Sequence, residues 1–151
     1  MRDLKNELEM AAQNLAEVRV SPAMRTVGIV LGGTLLAAIC AHIVLPLYFT
    51  PVPLSLQPLA VLLLGLLLSP RLAGVTMAAY LAEGAMGLPV FAPGVDSLAG
   101  VAHLFGPTGG YLLAYPAAAI LVSFLWRRGG RGLASALLAD AAGDLLILGC
   151  G

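Results

Sequence analysis

The chain has 151 residues, of which 60% are hydrophobic and only 11% charged, with a mean hydropathy of +0.95 and a formal net charge of zero. Soluble domains run nearer half apolar and a quarter charged, so this composition excludes an ordinary soluble domain and predicts one all-α integral membrane domain. Cys40 and Cys150 sit in apolar runs with no ligand-spaced partner, so both are read as small apolar fillers.

Residues 1–25 mix Arg2, Asp3, Lys5, Glu7, Glu9, Glu17, Arg19 and Arg25 and hold no early apolar core of the kind a signal peptide needs. Leu4, Leu8, Ala11, Ala12 and Leu15 recur at helical spacing, which predicts a cytoplasmic amphipathic lead segment suited to the membrane lipid surface or to solvent. Five apolar spans follow, at about 26–49, 54–69, 72–91, 109–126 and 133–151, and together they make the transmembrane domain 26–151. "TPVP" at 50–53 and "SPR" at 69–71 break the first three. The last span runs out at "LLILGCG" with no closing charge, so a sixth span returning to the cytoplasm is expected beyond Gly151.

Charge placement predicts the orientation. Arg2, Lys5, Arg19 and Arg25 precede the first span, Arg71 lies between the second and third, and Arg127, Arg128 and Arg131 lie between the fourth and fifth. These are all 8 Lys and Arg residues, and a cytoplasmic N-terminus puts every one of them inside.

Charged groups at membrane depth cost about 2.5–3.5 kcal/mol each and need a reason. His42, Gln57, Glu83 and Asp144 fall in the outer half by helical rise, with Asp140 deeper and one turn from Asp144. The pattern fits a cup open to the outside better than a proton relay staged across the full depth. Each residue also fits a plain packing role, and His42 with Glu83 fits an internal pair. The Gly- and Pro-rich stretch 87–112 carries Val90, Phe91, Val95, Leu98, Val101, Leu104 and Phe105 with Asp96 as its single charge, which predicts an apolar cover over a pocket once Pro89 and Pro93 have broken the third span. Thr108 stands as N-cap of the fourth span, and Gly109 and Gly110 bare their backbone N–H groups to an anion, with the Tyr80 and Tyr111 hydroxyls as further donors. Gly33, Ala37 and Ala41 repeat at four-residue spacing, which suits close helix approach, either to a partner or within the bundle. No nucleophile elbow, metal-ligand cluster, Walker A motif or nucleic-acid patch stands out, so no enzyme activity and no cofactor are expected.

"PVPLSLQPLAVLLLGLLLSPRLAG" at 51–74, "YLAEGAMGLPVFAPG" at 80–94 and "FGPTGGYLLAYPAAA" at 105–119 resemble the BioY family, and "GDLLILGCG" at 143–151 resembles the start of its fifth-helix motif. The resemblance implies a six-helix bundle that captures biotin from outside as the substrate-binding S component of an energy-coupling-factor (ECF) transporter. It further implies an ATP-driven partner module of one transmembrane coupling protein and two ATPases, with small residues on the first helix as the docking face. Gly33, Ala37 and Ala41 are the candidates for that face. Asp144 and Gln57, with Asp140 as the alternative acid, suit the ureido N–H groups of biotin. Tyr80 and Tyr115 suit its ring, and Thr108, Gly109, Gly110 and Tyr111 suit its carboxylate tail. Glu83 completes the candidate set. The rival readings are a different small vitamin, a membrane-embedded hydrolase using Glu83 and His42, and a membrane scaffold.

Overall fold

Ser–Pro and Gln–Pro pairs set where the first three helices begin, because a proline in the first turn gives up an N–H that would have no partner there. In the computed structural model, which describes residues 5–7, 10, 21–45, 54–93 and 100–151, these helices are α1 (Pro22–His42), α2 (Gln57–Leu67) and α3 (Pro70–Ala85). Ser21 Oγ caps α1 by accepting from the Met24 N–H at 3.1 Å. A 3-10 turn at Gly100–Phe105 leads to α4 (Gly109–Arg128) and α5 (Leu133–Cys150). By length and composition α1, α4 and α5 are able to cross a membrane. α2, with 11 residues, is about 16 Å long and too short to do so alone.

Two expected boundaries move. The first span was expected to reach residue 49, but α1 ends at His42, and Val44–Leu45 pairs antiparallel with Leu54–Ser55. Leu45 precedes Pro46, and a residue before proline is driven out of the helical region into extended backbone. The break expected at 50–53 lies outside the described residues. The third span was expected to run to Phe91, broken by Pro89 and Pro93. Instead α3 stops at Ala85 on a glycine: Gly87 takes φ +92, its N–H bonds the Gly84 carbonyl, and the Leu88 N–H bonds the Glu83 carbonyl. That reciprocal pair is the Schellman ending, which needs a left-handed residue and so selects glycine.

α4 is the hub. It packs on α2, α3 and α5, while α1 lies across α2 and α3. Small residues make the approach close: a Cβ at Gly65 would meet Val122 at 2.9 Å and the Ala119 carbonyl at 3.0 Å, and one at Gly143 would meet Leu62 at 2.8 Å. Ala37, Ala60, Ala73, Ala118, Ala119 and Ala139 complete the buried layer. Leu31, Leu35 and Ile39 of α1 and Leu137, Leu138, Leu145 and Leu148 of α5 point outward, as lipid-facing positions of a spanning helix do.

The two ends of the bundle differ. At one end the buried Ser123 Oγ donates to the Leu68 carbonyl at 2.6 Å and accepts from Arg127 Nε at 3.3 Å, and Arg128 lies over the Phe124 ring at 4.3 Å. At the other end lie His42, Gln57, the segment after α3 and the start of α4, which meets the end of α5 where Gly110 abuts the Cys150 carbonyl.

Gly65→Ala therefore drives a methyl against backbone and is expected to lower stability by about 1–3 kcal/mol. Gly28→Ala, on an open face with nothing within 4 Å, is expected to stay within about 0.5 kcal/mol or to stabilise. Thermal unfolding of the purified protein in detergent compares the two.

Candidate functional site

Two buried polar residues, Gln57 of α2 and Tyr80 of α3, meet at the end away from Arg127 and Arg128. Gln57 is the first residue of α2 and is 3% exposed, and Tyr80 of α3 is fully buried. Gln57 Nε2 donates to the Tyr80 hydroxyl at 2.9 Å, and that hydroxyl donates to the Val90 carbonyl at 2.7 Å. One buried tyrosine thus ties α2, α3 and the segment beyond α3 together. Glu83, half-buried one turn on, and Tyr115 of α4 lie within electrostatic reach of the same hydroxyl, and Tyr111 stands one turn before Tyr115.

Phe91 covers this cluster. Its ring lies directly on Gly84, leaving no room for a Cβ there, and meets Tyr80 edge-on at 5.5 Å and 76°. On its other side it faces the His103 ring at 5.1 Å, and His103 Nε2 is 3.4 Å from Thr108 Oγ1. Of the residues expected to form the cover, Phe91, Val90 and Leu104 pack against the core. The expectation fails at Phe105, which is 85% exposed, and at Val101, which also points outward. Val95, Asp96 and Leu98 lie outside the described residues.

Several expectations are corrected in detail. Thr108 holds the N-cap position of α4, but its side chain turns to His103 and caps nothing. The Gly109 N–H is already bonded to the Gly106 carbonyl at 2.9 Å, and a carbonyl from the end of α5 crowds Gly110, so this helix start is less open to an anion than the glycines alone imply. His42 Nδ1 lies 2.8 Å from the Ala38 carbonyl of its own helix, and among the described residues it forms no pair with Glu83 of the kind a hydrolase reading needs. Gly33, Ala37 and Ala41 face inward: Gly33 meets Thr76 and Leu64, and both alanines have no exposed surface. Internal packing, the other reading of that spacing, accounts for them, and the stripe is not an exposed docking face. The reason is that the Thr76 and Leu64 side chains fill the groove that glycine opens on α1.

Asp140 and Asp144 share one face of α5, both half-buried, beside Gly143, which packs on Val122 and Leu62. Asp140 Oδ1 is buried without a hydrogen-bond partner among the described residues. No group of metal-ligating side chains gathers among the described residues. The Val90 carbonyl was missed by sequence reasoning. A backbone acceptor leaves no residue-type signal, and only the nearby prolines hinted that this segment carries free carbonyls.

Comparison with known proteins follows the same lines. The model of the BioY family matches residues 10–151. A probable biotin transporter BioY of Pyrococcus horikoshii is 44% identical over 82 residues, 54% of this chain and 46% of that protein. Biotin transporter BioY2 of Lactococcus lactis is 35% identical over 116 residues, 77% of this chain and 61% of that protein. The crystal structure of the S-component for biotin from an ECF-type ABC transporter superposes with a TM-score of 0.73 at 26% identity, covering 83% of this chain and 68% of that one. The matched stretch spans about half the length of the first curated relatives.

Phe91 is the fastener of the cover, so Phe91→Ala is expected to cost roughly 3 kcal/mol, as large-to-small changes in a packed core do. Phe105→Ala, which removes a ring that is 85% exposed, is expected to be close to neutral in the same detergent unfolding measurement.

Proposed function

The chain belongs to the BioY family, and on that premise we propose that it takes up biotin across the cytoplasmic membrane as the high-affinity S component of an ECF-type transporter. It is a multi-pass membrane protein of a transporter family. The observation that carries the reading is the buried Gln57–Tyr80–Val90 cluster under Phe91, set at the end of the bundle opposite Arg127 and Arg128. A small ligand with both N–H donors and an apolar ring suits such a place. Polar groups that are already desolvated and fixed need little reorganisation to bind it, and they reject ligands that leave them unpaired.

The residues divide by chemistry. Asp144 accepts from the ureido N–H groups, joined by Gln57, and Asp140 one turn deeper is the alternative acid. Tyr80 and Tyr115 line the thioether ring, with Glu83 beside them. Thr108, Tyr111 and the backbone of Gly109 and Gly110 stand nearest the carboxylate tail. The protein does no chemistry on its ligand and uses no cofactor. The ATP-driven step belongs to an ECF module of one transmembrane coupling protein and two ATPases. The N-terminus is cytoplasmic, so the cluster lies at the outer end of the bundle.

Equilibrium binding of labelled biotin to the purified protein tests the reading. A submicromolar constant is expected, weakened at least about tenfold in Asp144→Asn with unfolding unchanged, since one charge-assisted hydrogen bond carries that much. A folded protein that binds no biotin overturns it.

Orientation has its own test. In intact cells, with the native Cys40 and Cys150 replaced by serine, a membrane-impermeant maleimide is expected to label Phe105→Cys and to leave Arg128→Cys unlabelled until the membrane is opened. The reverse pattern refutes the cytoplasmic N-terminus.

A further inference from the structure

Tyr80 has one hydroxyl proton to give and lone pairs to receive. Its oxygen stands 2.7 Å from the Val90 carbonyl and 2.9 Å from Gln57 Nε2. A carbonyl only accepts, so the proton goes to Val90, and toward Gln57 the tyrosine oxygen is left as an acceptor. The amide of Gln57 then has one satisfied orientation, with Nε2 toward Tyr80 and Oε1 away from it. The opposite flip would set two acceptors face to face among residues that are 3% and 0% exposed, where an unmade bond is not replaced by water.

We propose that Tyr80 is a positioning residue whose proton, given to Val90, fixes the flip of the Gln57 amide, so that its Oε1 stands free of Tyr80 to accept from a ligand N–H. The proposal rests on the reading that Gln57 meets the bound biotin, and it names the part of biotin that Oε1 meets: a ureido N–H. The same proton holds the 86–91 segment. A ligand group that pulled Gln57 into the opposite flip would also disturb the segment that carries Phe91.

The test has a ligand-free arm and a binding arm. In the first, hydrogen–deuterium exchange of residues 86–91 is followed in the purified protein without biotin. Tyr80→Phe keeps the ring and loses the proton, and exchange there is expected to rise about tenfold. Gln57→Met keeps the Tyr80–Val90 bond, and exchange is expected to stay within about twofold of the parent protein. Equal loosening by both variants, or by neither, overturns the proton assignment. In the second arm biotin affinity is compared. Gln57→Glu below about pH 4, with its carboxyl protonated, donates its O–H to Tyr80 and offers the ligand only an acceptor; it is expected to bind within about threefold of the parent at that pH, while Gln57→Met is expected to bind at least about tenfold more weakly. If the protonated Gln57→Glu binds as weakly as Gln57→Met, Gln57 serves the ligand as a donor and the proposal falls. A parent protein that is folded yet binds no biotin refutes the transport reading, and the exchange arm still decides the role of Tyr80.

Discussion

The arrangement depends on a polar hydrogen bond made where water is absent. A tyrosine hydroxyl buried without a partner would cost several kcal/mol, and an amide beside it as much again. Tyr80 and Gln57 satisfy one another, and the bond left over goes to the Val90 carbonyl, which lies outside any regular element. That third bond turns a local repair into architecture. It draws the chain leaving α3 back over the end of the bundle and sets Phe91 on Gly84, where only a residue without a side chain leaves room for the ring. The polar cluster and its apolar cover are thus consequences of one geometry.

Close packing elsewhere makes that geometry rigid. Lipid tails are as apolar as leucine, so no hydrophobic force gathers these helices, and contact area between backbones has to do the work. The glycines at 33, 65 and 143 and the buried alanines of α1, α2, α3 and α4 let neighbouring backbones touch, with α4 as the shared surface. Burying Gly33, Ala37 and Ala41 is part of this arrangement. A stripe of small residues reads the same in sequence whether it waits for a partner or already has one, and here Thr76 and Leu64 occupy the groove.

Part of this was legible in the residues. The mostly helical, apolar bundle follows from hydropathy and helical periodicity, and Gln57 and Tyr80 stand out in the sequence as polar groups in apolar runs. What stayed hidden were features decided by backbone. The end of α3 was assigned to Pro89 and Pro93 because proline is the louder signal, yet Gly87 ends the helix four residues after Glu83 by exchanging hydrogen bonds with carbonyls the sequence cannot display. The short pairing of Val44–Leu45 with Leu54–Ser55 reads as continued apolar span until Pro46 is given its effect on the residue before it. Thr108 was placed at the right position with the wrong bond, because its capping oxygen and the ring of His103 compete and sequence says nothing of which is nearer.

The two ends of the bundle also bear on how a captured ligand would be carried. Below the Tyr80 cluster the described interior holds Ala37, Val61, Leu64, Met77, Ala118 and Val122, and its buried hydroxyls, Thr34, Thr76 and Ser123, donate to carbonyls, of Leu31, Leu72 and Leu68. At the arginine end Ser123 and Arg127 fasten α4 to the end of α2. Among the described residues, a ligand held under Phe91 on the proposed reading meets mostly packed apolar side chains beneath it, with these paired hydroxyls and the half-buried Asp140 as the polar groups. Passage through the middle would require opening contacts that hold the helices together, at a cost comparable with unfolding part of the bundle. In the proposed role, then, the bundle holds and a partner moves it. On that proposed reading, release draws on work from a partner rather than on a path through the described interior.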